Sequence, residues 1–163
     1  MNKKWTYLGG LVIAALLGFY LFQKYSVAPE INFKVLPLEN LNGEAVSMES
    51  FKGKKLVVCF SASWCGNCME ELQDVSEIKE EFLKDVEVLV IDDEPLEKIQ
   101  RLKDRKGYNF TYLHLKQPFG SIGINSIPTS YLVNKEQKVK KEAVGYLNWK
   151  DPSTAKFLAN LLN

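Results

Sequence analysis

The chain has 163 residues, with 21 Lys and Arg against 20 Asp and Glu, one His and three Cys. A formal charge of +1 without a basic patch argues against nucleic acid as the partner. With one histidine and no second C-x-x-C or C-x-x-H, a closed four-ligand zinc site lacks its ligands.

The first element is apolar. From Trp5 to Gln23, 19 residues carry no charge, close to the roughly 20 that cross a bilayer as a helix. Lys3, Lys4 and the amino terminus precede it, and only Lys24 follows closely. The positive-inside rule places the N-terminus in the cytoplasm and the remainder outside. Trp5, Tyr7, Tyr20 and Tyr25 stand near the two ends, where interfacial aromatics belong. The expected organisation is an anchor over 1–24, a linker over 25–30 and one domain over 31–163. The competing reading is a cleaved secretory signal with a small-residue site at Ser26-Val27-Ala28. Pro29 follows at once, and the run exceeds the usual apolar core of about 7–15 residues, which favours an uncleaved anchor. Both readings export the domain. No cysteine ends the run, so a lipoprotein would have no attachment residue.

From Ala28 onward, 136 residues carry 18 basic and 20 acidic side chains, enough for one nearly neutral domain. Ile31 to Leu36 alternates at period two and is predicted as a half-buried strand. Asn40 to Gly43 supplies a turn, and Ala45 to Met48 returns as a second strand. Lys55 to Phe60 is a strand-like run, and its continuous apolar part from Leu56 suits a central, doubly covered strand. Next comes Trp64-Cys65-Gly66-Asn67-Cys68, then a helical pattern from Met69 to Leu83. Cys68, Leu72, Val75, Ile78 and Phe82 mark its buried face. Val86–Ile91 is a buried strand, Pro95–Arg105 a solvated helix and Thr111–Leu115 a short strand. Thr129–Val133 and Val139–Val144 flank a hairpin turn. Asp151 caps a terminal helix with Pro152 at its first position, ending near Leu162. Alternating strands and helices, closed by a hairpin, predict an α/β fold: a mixed sheet with helices on both faces and a strand pair at its start.

Two cysteines two residues apart, between a strand and a helix, read as a dithiol redox centre. The first turn of a helix has unpartnered N–H groups and partial positive charge, which lowers the pKa of a thiolate at Cys65. Cys65 is therefore the attacking sulfur and Cys68, one turn further in, the resolving one. The alternative is a structural disulfide or two inert thiols.

Downstream stands Ser126-Ile127-Pro128-Thr129, with a proline at the start of a strand, where it costs no ladder bond. The pairing of W-C-x-x-C with I-P-T resembles the thioredoxin superfamily. L-N-G-E-A-V, S-F-K-G-K-K-L-V-V, S-A-S-W-C-G-N-C-M-E-E-L, V-L-V-I-D-D-E, S-I-P-T-S-Y-L-V-N-K-E and Gly145 narrow it to the membrane-anchored TlpA/ResA-like thiol–disulfide oxidoreductases, over about residues 31–162. The segment 95–115 fits the insertion of that branch. The resemblance implies a cis Pro128 facing the cysteines, and a substrate strand meeting Trp64, Ile127 and Pro128. It also implies a functional Glu71, three residues after Cys68. From the helical spacing, Glu71 borders the buried side and could shuttle protons. Alternatively, Glu70 and Glu71 only complement the helix dipole. Plain thioredoxin has a buried aspartate where Cys59 stands, so a relay falls to Glu71 or water. Cys59 reads as a small buried hydrophobe rather than a third redox thiol. Asn67 replaces a common proline, and no cation stands there, which leans toward a reductant. His114 reads as structural or surface.

The resemblance implies no organic cofactor and a bacterial cell membrane with the catalytic domain in the periplasm or on the outer face. The partners it implies are a disulfide-bearing protein substrate and a membrane electron-transfer protein, in cytochrome c maturation or thiol repair. A disulfide-introducing oxidase and a Cu(I) carrier using Cys65 and Cys68 remain as alternatives. A peroxidase is disfavoured because no threonine precedes Cys65 in the usual position.

Overall fold

The computed structural model describes residues 3–161; Met1 and the helix end expected near Leu162 lie outside them. It opens with α1 (Lys3–Ser26). Within it, Tyr7–Ser26 is 20 residues long, apolar enough to cross a membrane, and unburied. Next come β1 (Leu38–Glu39), β2 (Ala45–Val46), β3 (Lys55–Phe60), α2 (Gly66–Phe82), β4 (Val86–Asp92) and α3 (Leu96–Lys106). β5 (Thr111–Leu115), β6 (Thr129–Val133), β7 (Val139–Val144) and α4 (Pro152–Leu161) complete the chain.

Among the described residues, seven strands form one mixed sheet in the order β2-β1-β5-β4-β3-β6-β7. β3 is an interior strand, parallel to β4 and antiparallel to β6, and all of its residues are buried. Fully covered interior strands carry apolar side chains on both faces, as this one does.

The expectation of α-helices on both faces is corrected. Leu72 and Val75 of α2, Ile99 and Leu102 of α3, and Ala155 and Leu158 of α4 share one core with Val57, Cys59, Val88, Val90 and Leu132 of the sheet. The reason is handedness. The chain steps from β3 to β4 to β5 in one direction, through parallel neighbours. Successive right-handed crossovers in one direction land on one face. The opposite face, with Leu56, Val58, Phe60, Leu89 and Tyr131, is covered by 3-10 turns at Phe33–Val35, Met48–Phe51 and Phe119–Ile122.

Ile31 to Leu36 is not a strand. The Asn32 side chain accepts from the Lys34 amide at 3.2 Å and turns the chain into the Phe33–Val35 helix. The strand pair starts at Leu38 instead. Phe33 packs edge-on against Tyr131, with ring centroids 5.4 Å apart. A strap laid over a sheet alternates its apolar residues as a strand within it does.

The 25–30 segment, expected as a linker, is divided. α1 continues through Ser26, and Val27 is exposed. Ala28 packs against the second core, and the Pro29 carbonyl accepts from the Tyr131 hydroxyl at 2.8 Å. Pro29 also lies against Gly123, whose φ is +85° and where an added Cβ would stand 3.0 Å from the Pro29 Cβ. Glycine is needed there for both reasons.

Candidate active site

β3 ends at the loop Ser61–Trp64, and Cys65 is the N-cap of α2. Its Sγ accepts from the Cys68 amide at 3.2 Å. The two cysteines form a disulfide with Cα atoms 5.2 Å apart. Cys65 is 7% exposed and Cys68 0%, so the outer sulfur is that of Cys65. Once the bond is reduced, an amide already aimed at Sγ and the positive end of α2 favour the thiolate at Cys65. Trp64, 72% exposed, stands beside the pair.

β6 faces the same loop. Its register pairs Phe60 with Thr129, which brings the turn before β6 next to the end of β3. The Ile127–Pro128 bond is cis, and the Ile127 carbonyl oxygen lies 3.9 Å from the Cys65 Sγ. The Gly145 amide donates to the Pro128 carbonyl at 2.8 Å and holds the turn. Trp64, Cys65, Ile127 and Pro128 are thus gathered at one rim of the sheet.

Glu71 is buried one turn below the disulfide. Its Oε1 accepts from the Ser130 hydroxyl at 2.5 Å and its Oε2 from the Leu147 amide at 3.1 Å. Burial raises its pKa, and these two donors offset part of that effect. The buried Trp149 indole makes no hydrogen bond of regular geometry, yet its N–H also favours the carboxylate. Cys59 pairs with Ser130 across β3 and β6 and is fully enclosed. Burial, and then the charge of Glu71, push its thiol well above the ordinary range. His114 lies apart, on β5, with Nδ1 2.8 Å from Glu39 Oε1 on β1.

Sequence reasoning missed three buried carboxylates: two beside the active-site loop and one further along α2. Glu94, at the head of α3, is nearly buried and accepts from the Ser63 amide at 2.6 Å through Oε2. Its Oε1 meets Lys98 at 2.9 Å. Burial is the largest influence on its carboxyl and acts upward, but Ser63 and Lys98 together hold it below the ordinary glutamate value. Asp92 is fully buried at the end of β4, accepts from the Glu94 amide at 2.7 Å, and is pushed up to about 7 chiefly by burial. Asp74 on α2 accepts from the Tyr146 hydroxyl at 2.5 Å and meets Lys150 at 2.9 Å. For Asp92 and Glu94 the available signal was the run Asp92-Asp93-Glu94 at the end of a buried strand, directly before Pro95; Asp74 left none.

The chain matches the AhpC/TSA family over residues 26–142. It is 26% identical over 179 residues to the thioredoxin-like protein YneN of Bacillus subtilis, covering 93% of this chain and 95% of that one. It is 28% identical over 147 residues to the thiol-disulfide oxidoreductase ResA of Bacillus anthracis, covering 83% of each. Among solved structures, StoA of Bacillus subtilis superposes with a TM-score of 0.58 at 19% identity, over 80% of this chain and 99% of that one. A thioredoxin family thiol:disulfide interchange protein of Chlorobium tepidum superposes with a TM-score of 0.60 at 23% identity, over 82% and 97%. These superpositions establish the thioredoxin-like fold.

Proposed function

This chain belongs to the AhpC/TSA family, and from that premise we propose that it is a membrane-anchored thiol–disulfide oxidoreductase that reduces disulfides of exported proteins. The observation that carries the reading is the Cys65–Cys68 disulfide at the start of α2, its outer sulfur beside the Ile127–Pro128 turn. The names of the ResA relatives support the oxidoreductase chemistry.

In the reduced form, the Cys65 thiolate attacks one sulfur of the substrate disulfide. A Cys65–substrate disulfide forms, and the other substrate sulfur leaves as a thiolate. Cys68, deprotonated, then attacks the Cys65 Sγ. The mixed disulfide breaks, the second substrate thiolate leaves, and Cys65–Cys68 re-forms. Two electrons pass to the substrate, whose thiolates take up two protons. Glu71, buried below the pair, exchanges a proton with the departing or arriving thiol. A dithiol protein in the membrane returns the electrons. Trp64 and the Ile127–Pro128 turn hold the substrate segment against Cys65. α1 anchors the chain, with its N-terminus in the cytoplasm and the domain outside. Reduction of apocytochrome c or repair of extracytoplasmic thiols is the setting that fits.

The test is the reduction potential of the Cys65/Cys68 pair in the full chain in detergent, by equilibration with thiol buffers and quantitative alkylation. A value near about −270 mV supports a reductant fed through the membrane; a value near about −120 mV replaces it with a disulfide donor. Cys68→Ser is expected to trap a mixed disulfide on Cys65, and Cys65→Ser to abolish turnover.

A further inference from the structure

We infer that the groove between the Cys65 loop and α3 receives an acidic segment of the substrate protein, next to the disulfide under attack; this rests on the exchange chemistry proposed above. The groove is lined by Ser63, Lys98, Arg101, Leu102 and Arg105 and encloses about 240 Å³. Ser63 lies two residues before Cys65, so one end of the groove is the active-site loop itself.

The charge of this surface is local. The exported part has a slight acidic excess, whereas α3 carries five cations against two carboxylates. Lys98, Arg101 and Arg105 follow spacings of three and four and share one helical face. They span roughly 10 Å along the axis. Cations in the last turn, such as Arg105, are accounted for by the helix dipole. Lys98 stands in the first turn of α3, where that dipole disfavours it, and Arg101 at its middle, where the dipole acts little, so neither is there as a cap.

Two of these cations, Arg101 and Arg105, are also available. Lys98 is held to the active-site loop through Glu94. Arg101 spends only its Nε, on the Glu97 carbonyl at 3.1 Å. Among the described residues, no carboxylate comes within ion-pair distance of Arg101 or Arg105. All three are exposed. Elsewhere on α2, Glu70 and Glu77 are exposed, and Lys150 is engaged by Asp74 and Glu77. Grooves lined by one sign of charge concentrate ligands of the other and raise association rates. Guanidinium forks match carboxylates in geometry as well as charge. An acidic stretch flanking the substrate cysteine satisfies both Arg101 and Arg105 while its disulfide reaches Cys65.

The test uses the full chain, reduced, in detergent. Three peptides carry the same internal disulfide and differ only in a flank of glutamates, glutamines or lysines. The expected order of reduction rates is glutamate, glutamine, lysine, with ~10-fold between the extremes at low salt and a narrower spread at about 0.5 M. Replacing both Arg101→Glu and Arg105→Glu is expected to reverse the order. Arg101→Gln with Arg105→Gln is expected to flatten it, which keeps the test open if the reversed variant folds poorly. Equal rates for the three peptides on the parent chain, or an order that neither variant changes, overturns the groove. Failure of the parent to reduce uncharged bis(2-hydroxyethyl) disulfide overturns the exchange chemistry, and the groove with it.

Discussion

The Glu94 carboxylate and the Ser63 amide meet at 2.6 Å, joining the head of α3 to the loop that presents Cys65. Glu94 is itself set by Asp92, which holds its amide, and by Lys98, which pairs with its second oxygen. The head of α3 and the redox loop are therefore one unit.

Glu94→Ala removes the acceptor for Ser63 and the partner of Lys98. It is expected to cost about 1–2 kcal/mol in urea unfolding and to slow reduction of bis(2-hydroxyethyl) disulfide by ~10-fold, in line with the cost of misplacing a reacting group. Glu94→Gln keeps a carbonyl acceptor and is expected to restore most of the rate. Equal rates in Glu94→Ala and the parent would show that the contact stabilises without positioning.

Asp92 sets a pH dependence. Its folded-state pKa, about 7, lies above the ordinary value of 3.8. The stability it contributes is complete below about pH 4 and is lost as pH rises through about 7. Glu94, Asp93 and Lys98 add smaller effects to that of burial. His114 is its register partner on β5. Asp92→Asn keeps an acceptor for the Glu94 amide. It is expected to raise stability at pH 8 by on the order of 2–4 kcal/mol, with little change at pH 4. Urea midpoints at the two pH values decide it: the same difference at both would show that Asp92 does not titrate in this range.

Cys59 is fully enclosed, with its thiol pushed up by burial. In the oxidised native protein, iodoacetamide at pH 8 is expected to leave it unmodified. The same reagent in denaturant should add one adduct, read by mass. Native labelling at Cys59 would mean that the Cys59–Ser130 region opens.

Glu71→Gln tests the proton role. The substitution keeps the size and one acceptor, and is expected to cost about 1 kcal/mol through the contact with the Leu147 amide. If Glu71 exchanges protons with the thiols, the pH profile of Cys65 alkylation loses an inflection. A profile identical to that of the parent would confine Glu71 to holding Ser130 and the Leu147 loop.

β3 and β4 were legible to within a residue, because the continuous apolar runs Leu56 to Phe60 and Val88 to Ile91 leave few alternatives. Cys65 and Cys68 could be singled out because local spacing reveals a thiol pair between a strand and a helix, whereas Pro128 was pointed to only by the resemblance that I-P-T carries. The placement of α3 could not be read. It depends on the strand order β5-β4-β3, and that order is set by pairings between distant residues. Ile31–Leu36 misled for a different reason: alternation records which side chains face the sheet, not whether the backbone joins it. Glu94 was missed because its partner is a backbone amide, and amides leave no mark in a sequence. The Glu71–Ser130 contact likewise spans 59 positions and depends on the register of β3 with β6.

The docking of Ala28 and Pro29 against the domain leaves Val27 alone between the end of α1 and the first packed residue. One residue gives about 3.5 Å of slack. With α1 in a bilayer, the domain rides on the lipid surface on the shortest of leashes. On the proposed anchor, it would meet its partners by lateral drift in a plane rather than by free diffusion through a volume. A disulfide held far from that surface would have to be brought down to the enzyme, since the enzyme cannot rise to it.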